Sequence, residues 1–365
     1  MNVQARLALV MDQVNIPKRA GKVVNFLPGP IDLHPDVRQA FAAVPISHRS
    51  ERFMKDVADV KQILCELLKV KYVELFLGSG TLANDVVGTQ LSLLPRAGVI
   101  LSNGEFGERL VNHAQRLGLR YDVLRVDWGK AFDYEQLARH LEQHPQLGWL
   151  WCVHHETSTG VLNQLARLKA ICKEHDLLLC LDCISSTGLV TVNLQDVYLA
   201  SGVSGKGFAS FAGLAMVFYN HRLEASSHNV PRYLDLAYYA QCQGVPFTTS
   251  SNLMYALQTA LNRLQPEARF TRIRYLSTWI RNELRRRGLS ILAADEDAFP
   301  AVMTIVLPKQ VDSVWVGDCL EECGYLVSYK SSYLVARNWI QLCLMSEYLD
   351  EMIVPLFDLL DQLSA

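Results

Sequence analysis

Four short segments hold residue types that could do chemistry. Lys206 sits in SGVSGKGFASFAG with glycine on both sides. Small neighbours leave its amine sterically accessible, and a partly desolvated lysine suits Schiff-base chemistry. An exposed loop lysine is the plain alternative. Asp182 closes the apolar run LLLCLD. A carboxylate there needs a cation or strong donors, unless it caps the next helix or is satisfied by backbone amides. Gly78-Ser79-Gly80-Thr81 stands between a strand-like and a helix-like run. Its glycines allow close backbone approach, and a helix N-terminus there offers free N–H groups to a phosphate. The spacing is neither a P-loop nor a dinucleotide fingerprint, and an ordinary capped turn uses the same residues. Last, His155-Glu156-Thr157-Ser158-Thr159-Gly160 crowds polar groups at a strand end, as a strand-to-loop transition also does.

Taken together, the four are less ambiguous. A phosphate cradle, a buried carboxylate and an accessible lysine 24 positions later are the parts a pyridoxal 5'-phosphate enzyme needs. The lysine anchors the cofactor, the aspartate keeps the pyridine nitrogen protonated, and the cradle holds the phosphate.

Elements must place these groups. YVELFLGSGT (72–81) reads as a buried strand ending in a turn, with a helix following. Strands at 98–103, 120–127, 147–156 and 177–184 alternate with helices at 108–118, 134–144 and 165–175. This predicts βαβ units and a mostly parallel sheet covered on both faces. A helix is expected over 51–70, and a turn at Pro28-Gly29-Pro30. After about 265 the pattern changes to a basic amphipathic helix (268–288), with its arginines on a solvated face. Strand-like runs LSILAA, AVMTIVL, YLVSY and WIQLCLM follow, with helices at 312–323 and 347–363. The expected organisation is an N-terminal arm (1–24), a large cofactor domain (25–265) and a small α+β domain (266–365).

Composition narrows the class. The chain has 365 residues, half of them apolar, with 35 Lys+Arg against 37 Asp+Glu. The near-neutral balance speaks against a nucleic-acid partner. No window suggests a membrane span, and the N-terminus does not read as a signal peptide. Nine scattered cysteines, with no CxxC pair and no metal-ligand spacing, fit a reduced, cytoplasmic protein.

In these segments the chain resembles the class V aminotransferases of fold type I. The matches run in order: FLPGP (26–30), SHRSERF (47–53), LFLGSGTLAND (75–85), NGEFGERL (103–110), HHETSTGVLN (154–163), LDCISSTG (181–188), SGKG (204–207) and VPFTTSSNLMYAL (245–257). The resemblance implies an α/β fold and transfer of an amino group from a small amine or amino acid to a 2-oxo acid or aldehyde. It places Lys206 as the Schiff-base lysine and general acid/base, and Asp182 as the pyridinium partner with Ile184 on the ring face. Ser79, Gly80 and Thr81 fall on the phosphate turn, Phe106 on the stacking aromatic, and Thr157 near the ring oxygen. Ser204 falls beside the lysine. Thr248 matches a threonine that reaches the neighbouring subunit's phosphate, which implies a homodimer with shared active sites.

Departures concern the substrate. Ser204-Gly205-Lys206 lacks the family's glutamine, Phe211-Ala212-Gly213 replaces Pro-Pro-Gly, and Val245 stands where an intersubunit tyrosine often does. The substrate-binding arginine aligns with Gln341, which cannot form a bidentate charged clamp. Gly29, Gln341 and Arg337 are the expected substrate contacts, with Arg337 as substitute cation if the strand is displaced and a surface arginine otherwise. A lyase or desulfurase on the same fold, and a non-catalytic binding relative, are the alternative readings.

Overall fold

The computed structural model describes residues 23–224 and 230–364. The expected arm therefore lies almost wholly outside the described residues. In the first half, β1 (Val24–Asn25), α1 (Pro35–Phe41), α2 (Glu51–Leu68), β2 (Tyr72–Gly78), α3 (Gly80–Ser92), β3 (Gly98–Ser102), α4 (Glu105–Arg116), β4 (Tyr121–Arg125), α5 (Tyr134–Gln143) and β5 (Trp149–Val153) follow in order. Then come β6 (His155–Glu156), β7 (Val161–Leu162), α6 (Leu165–Glu174), β8 (Leu178–Asp182), β9 (Leu199–Val203) and β10 (Gly213–Tyr219). The chain continues through α7 (Leu236–Gln241), α8 (Ser251–Arg263), α9 (Pro266–Arg286), β11 (Ser290–Ile291), β12 (Val302–Val306), α10 (Ser313–Glu322), β13 (Tyr325–Leu326), α11 (Ser332–Val335), β14 (Trp339–Cys343) and α12 (Asp350–Ser364).

Seven strands form the main sheet in the order β2-β10-β9-β8-β5-β3-β4. Only β10 runs antiparallel, pairing Gly213–Tyr219 with Gly78–Tyr72 on one side and with β9 on the other. Period-two alternation sorts the side chains. Val73, Leu75, Leu101, Leu150 and Leu181 face one apolar layer under α2, while Phe76, Ile100, Trp151 and Cys180 face another under α3 and α4. Both faces are covered, so the strands read as continuous apolar runs.

A second sheet, β11-β12-β14, is antiparallel and packs with α9 and α12 in its own core. The strand-like runs LSILAA and YLVSY shrink to the two-residue β11 and β13. β1 adds in parallel to β13, and Phe26 sits in this second core. The start of the described chain thus packs with the C-terminal elements. The arginines of α9 are solvated only in part: Arg274, Arg285 and Arg286 are exposed, and three others turn inward. Arg281 is buried against Asp295, Arg269 donates to the Met345 carbonyl, and Arg272 pairs with Asp350. Acids and carbonyls of the C-terminal elements draw that charge inward. No helix of the described residues is long and apolar enough to cross a membrane.

One buried ion pair ties α2 to β2. Lys61 Nζ donates to both Glu74 oxygens at 2.8 and 2.9 Å, and the Tyr219 hydroxyl donates to Glu74 at 3.1 Å. Burial raises the Glu74 carboxyl and Lys61 opposes it. Removing the cation leaves a buried carboxylate uncompensated, so Lys61→Met should cost about 3 kcal/mol in urea unfolding. The double variant Lys61→Met/Glu74→Leu should recover most of that.

Candidate active site

The carboxyl ends of β2, β5, β8 and β9 open on one cleft of about 790 Å³. Ligands of open parallel sheets bind at this edge. Gly29, Ser79, Gly80, Thr81, Phe106, Thr157, Asp182, Ile184 and Lys206 all line it. Ser79 is the N-cap residue of α3, yet its side chain makes no capping bond. Ser79 and Thr81 are exposed to the cleft, so the first turn of α3 presents hydroxyls and N–H groups without capping partners. Gly80 is required here: a Cβ would stand 2.7 Å from Ile184 Cδ1.

Asp182 ends β8, buried. One carboxylate oxygen accepts from Asn84 Nδ2 at 2.8 Å and the other from the Ile184 N–H at 2.9 Å. The Ser201 hydroxyl donates to Asn84 Oδ1, which fixes the amide's orientation. Burial raises the Asp182 carboxyl; Asn84, Ile184 and the charge of Lys206 oppose it. Lys206 follows β9 and is partly open to the cleft, its Nζ 5.6 Å from the centroid of the Phe106 ring. Burial lowers its amine, and Asp182 acts against that.

Phe106 is held from another segment. Gly104 gives α4 no side-chain cap. Instead Ser158 Oγ accepts from the Glu105 N–H at 3.0 Å, and the Glu156 carboxylate accepts from Phe106 N–H at 3.3 Å and Gly107 N–H at 2.9 Å. The Ser158 hydroxyl and N–H also donate to Glu156. The buried carboxylate thus sits on the positive end of a helix dipole. Burial raises its pKa, and these donors oppose the rise.

His155 forms part of the cleft wall, stacked on Phe299. Its Nδ1 lies 2.9 Å from Ser185 Oγ and 3.3 Å from the Ser185 carbonyl, while buried Nε2 has no partner. Burial pushes its pKa well down, and that of His154 to about 4, so both imidazoles are neutral. An orphaned polar atom in the wall, a carboxylate needing a cation, and an uncapped helix N-terminus fit a phosphorylated, pyridine-containing group.

The class-V aminotransferase family model matches residues 37–230. A 42 kDa subunit described as a soluble hydrogenase in Anabaena cylindrica is 32% identical, over 79% of each chain. The chain belongs to the class-V aminotransferases. An uncharacterized aminotransferase of Methanocaldococcus jannaschii is 28% identical over 87% of this chain and 86% of its own. The solved alanine–glyoxylate aminotransferase of Nostoc superposes with a TM-score of 0.85 at 26% identity, covering 95% and 96% of the two chains. The fold is type I of the pyridoxal phosphate-dependent enzymes.

In this class-V aminotransferase four expected site residues lie off the cleft. Ser204 closes the β9–β10 hairpin: its hydroxyl donates to the Phe211 carbonyl and accepts from the Leu214 N–H. Thr248 is exposed and outside the lining. Arg337 is a correction. Its guanidinium is exposed, 3.6 Å over the Trp128 ring and 5.6 Å from that of Trp339, where the aromatic faces attract the cation. Gln341 is a correction too. It lies behind the cleft, fully buried, and its Nε2 donates to the Thr157 carbonyl and to Thr304 Oγ1. It braces the Thr157 loop, and its buried Oε1 has no partner.

Sequence reading missed Arg109, Asn112, His113 and Arg116, which line the cleft from α4. The signal was available. Positions 109, 113 and 116 fall on the helix face of Phe106 at spacings of three and four. Arg109 lies 4.8 Å over the Phe106 ring and pairs with Glu105 at 3.0 Å. No cysteine is among the lining residues.

Glu156→Gln keeps the shape but removes the charge that caps α4. It should cost about 2 kcal/mol in urea unfolding and weaken cofactor retention in dialysis, because Phe106 loses its anchor.

Proposed function

We propose that the cleft holds pyridoxal phosphate and transfers an amino group from an α-amino acid to a 2-oxo acid. The observation that carries this is the convergence of Lys206, Asp182 and the uncapped start of α3 on one cleft. Ser79, Gly80 and Thr81 hold the phosphate. Phe106 and Ile184 pack the ring from either face. Asp182, fixed by Asn84, holds a proton on the pyridine nitrogen, and that cation returns the buried carboxylate to its charged form. Bound there, the cofactor supplies an electron sink. Lys206 anchors it covalently. Once released, its amine, with a pKa lowered by burial, moves the proton at the donor's α-carbon.

The donor's carboxylate is assigned to Arg109. Gln341 offers the cleft no cation, whereas Arg109 and Lys206 lie against the same aromatic ring. The Glu105–Arg109 pair is half-exposed and weak, so a substrate carboxylate displaces Glu105 at little cost. A desulfurase reading lacks its nucleophile: Cys343 is buried in β14, and burial pushes its thiol up to about 12. A homodimer belongs to the same proposal, with exposed Thr248 completing the partner's phosphate site. So does a reducing, cytoplasmic setting, supported by nine unpaired cysteines.

Wild-type protein loaded with pyridoxal phosphate should be yellow, and Lys206→Ala should lose that visible band and all turnover. A wild type that stays colourless overturns the reading. Arg109→Gln should raise KM for carboxylate-bearing donors roughly 10- to 100-fold, the worth of a charged hydrogen bond, with carboxylate-free amines unaffected. Steady-state assays on both donor types check this.

A further inference from the structure

Away from the cleft, at the open edge of the main sheet, Asp122 meets two histidines. Asp122 is on edge strand β4, and His140 and His144 are four residues apart at the end of α5. That spacing puts both imidazoles on one helix face. One ligand atom from each residue lies within 4.8 Å of the other two. Asp122 Oδ2 is 3.0 Å from His140 Nε2. The imidazole rings stack with centroids 4.2 Å apart. His144 Nδ1 lies 2.8 Å from the His140 carbonyl. A carbonyl only accepts, so Nδ1 carries the proton and His144 Nε2 keeps its lone pair.

A hydrogen bond between Asp122 and His140 needs no second histidine. The second imidazole, with its tautomer set by its own backbone, adds an unprotonated nitrogen beside the first pair. All three side chains are partly buried, which orders them and leaves an ion a way in. The opposite face of α5 is anchored by Tyr134, Leu137 and Leu141 in the core. None of the three residues lines the catalytic cleft.

We propose that Asp122, His140 and His144 bind one divalent transition-metal ion of the zinc, cobalt or nickel class. Two imidazoles and one carboxylate suit such ions, while magnesium and calcium prefer oxygen ligands throughout. Metal–ligand bonds of about 2.0–2.2 Å place the ligand atoms roughly 3.4 Å apart in a tetrahedron, so binding draws the atoms in from their present separations and turns one imidazole out of the stack until both lone pairs meet the ion. Water takes the remaining position. The ion clamps α5 onto β4, the sheet's unpaired edge.

The test uses holoenzyme stripped with EDTA and titrated with Zn²⁺ by calorimetry, then with Co²⁺ by visible absorption beyond the cofactor's bands. The expected result is one ion per chain, a melting temperature raised by a few degrees, and cobalt d–d bands of a nitrogen/oxygen site. Millimolar Mg²⁺ should not compete. His144→Ala and Asp122→Asn should each weaken Zn²⁺ binding roughly tenfold or more, with transamination unchanged. Should His144→Ala fold poorly, His144→Gln carries the same comparison. Binding that is unaffected by these substitutions, or a sulfur-to-cobalt charge-transfer band showing capture by thiols, overturns the proposal. Absence of Zn²⁺ binding to the wild type does so as well.

Discussion

The buried carboxylate of Glu156 is the constraint on which the site depends. It ends β6 and reaches across to the start of α4, where Gly104 supplies no cap of its own. A side chain at Gly104 would collide with Glu156. The helix that carries Phe106 and Arg109 is therefore positioned by a segment some fifty residues away. The same segment is gripped elsewhere. Gln341 of β14 donates to the Thr157 carbonyl, the Phe299 N–H donates to the Gly160 carbonyl, and the Thr157 hydroxyl donates to Ser185 beyond β8. Gly160, at φ +80°, comes so close to β12 that a Cβ would stand 2.9 Å from the Val302 carbonyl. The start of α4, the loop after β8 and the second sheet share this junction.

The electrostatics follow from that packing. Asp182 and Lys206 are held apart by a cleft and are both disfavoured by burial, so each needs a counter-charge. The second sheet lines none of the cleft, Gln341 donating its amide to the Thr157 loop, and His155 of the cleft wall is neutral. Fixed positive charge reaches the cleft from Lys206, Arg109 and Arg116. The proposed recognition of an anionic substrate thereby rests on α4.

Much of this is legible in the sequence where periodicity is strong. The strands at 72–78, 98–102, 149–153 and 178–182 fall inside their apolar runs, and Lys206, Asp182 and the Ser79–Thr81 turn meet in one cleft because parallel strands deliver their carboxyl ends to one edge. β9 escapes because LASGV is built of small residues with no alternation, and β10 because it is antiparallel within an otherwise parallel sheet. The arginines of α9 mislead for a different reason. Their partners, Asp295, Asp350 and the Met345 carbonyl, lie far along the chain, and helix periodicity carries no record of them. Gln341 and Arg337 are four residues apart on paper, but one turns in toward Thr157 and the other out onto Trp128.

The trans cap on α4 also bears on how such a protein changes over time. Asn112 and Arg116 are solvent-facing on a helix whose anchor lies at its opposite end and belongs to another segment. Replacing them disturbs neither the cap nor the apolar face at Leu110 and Ala114. Such positions can change with little penalty in folding, while Phe106 and Arg109 stay beside the cap.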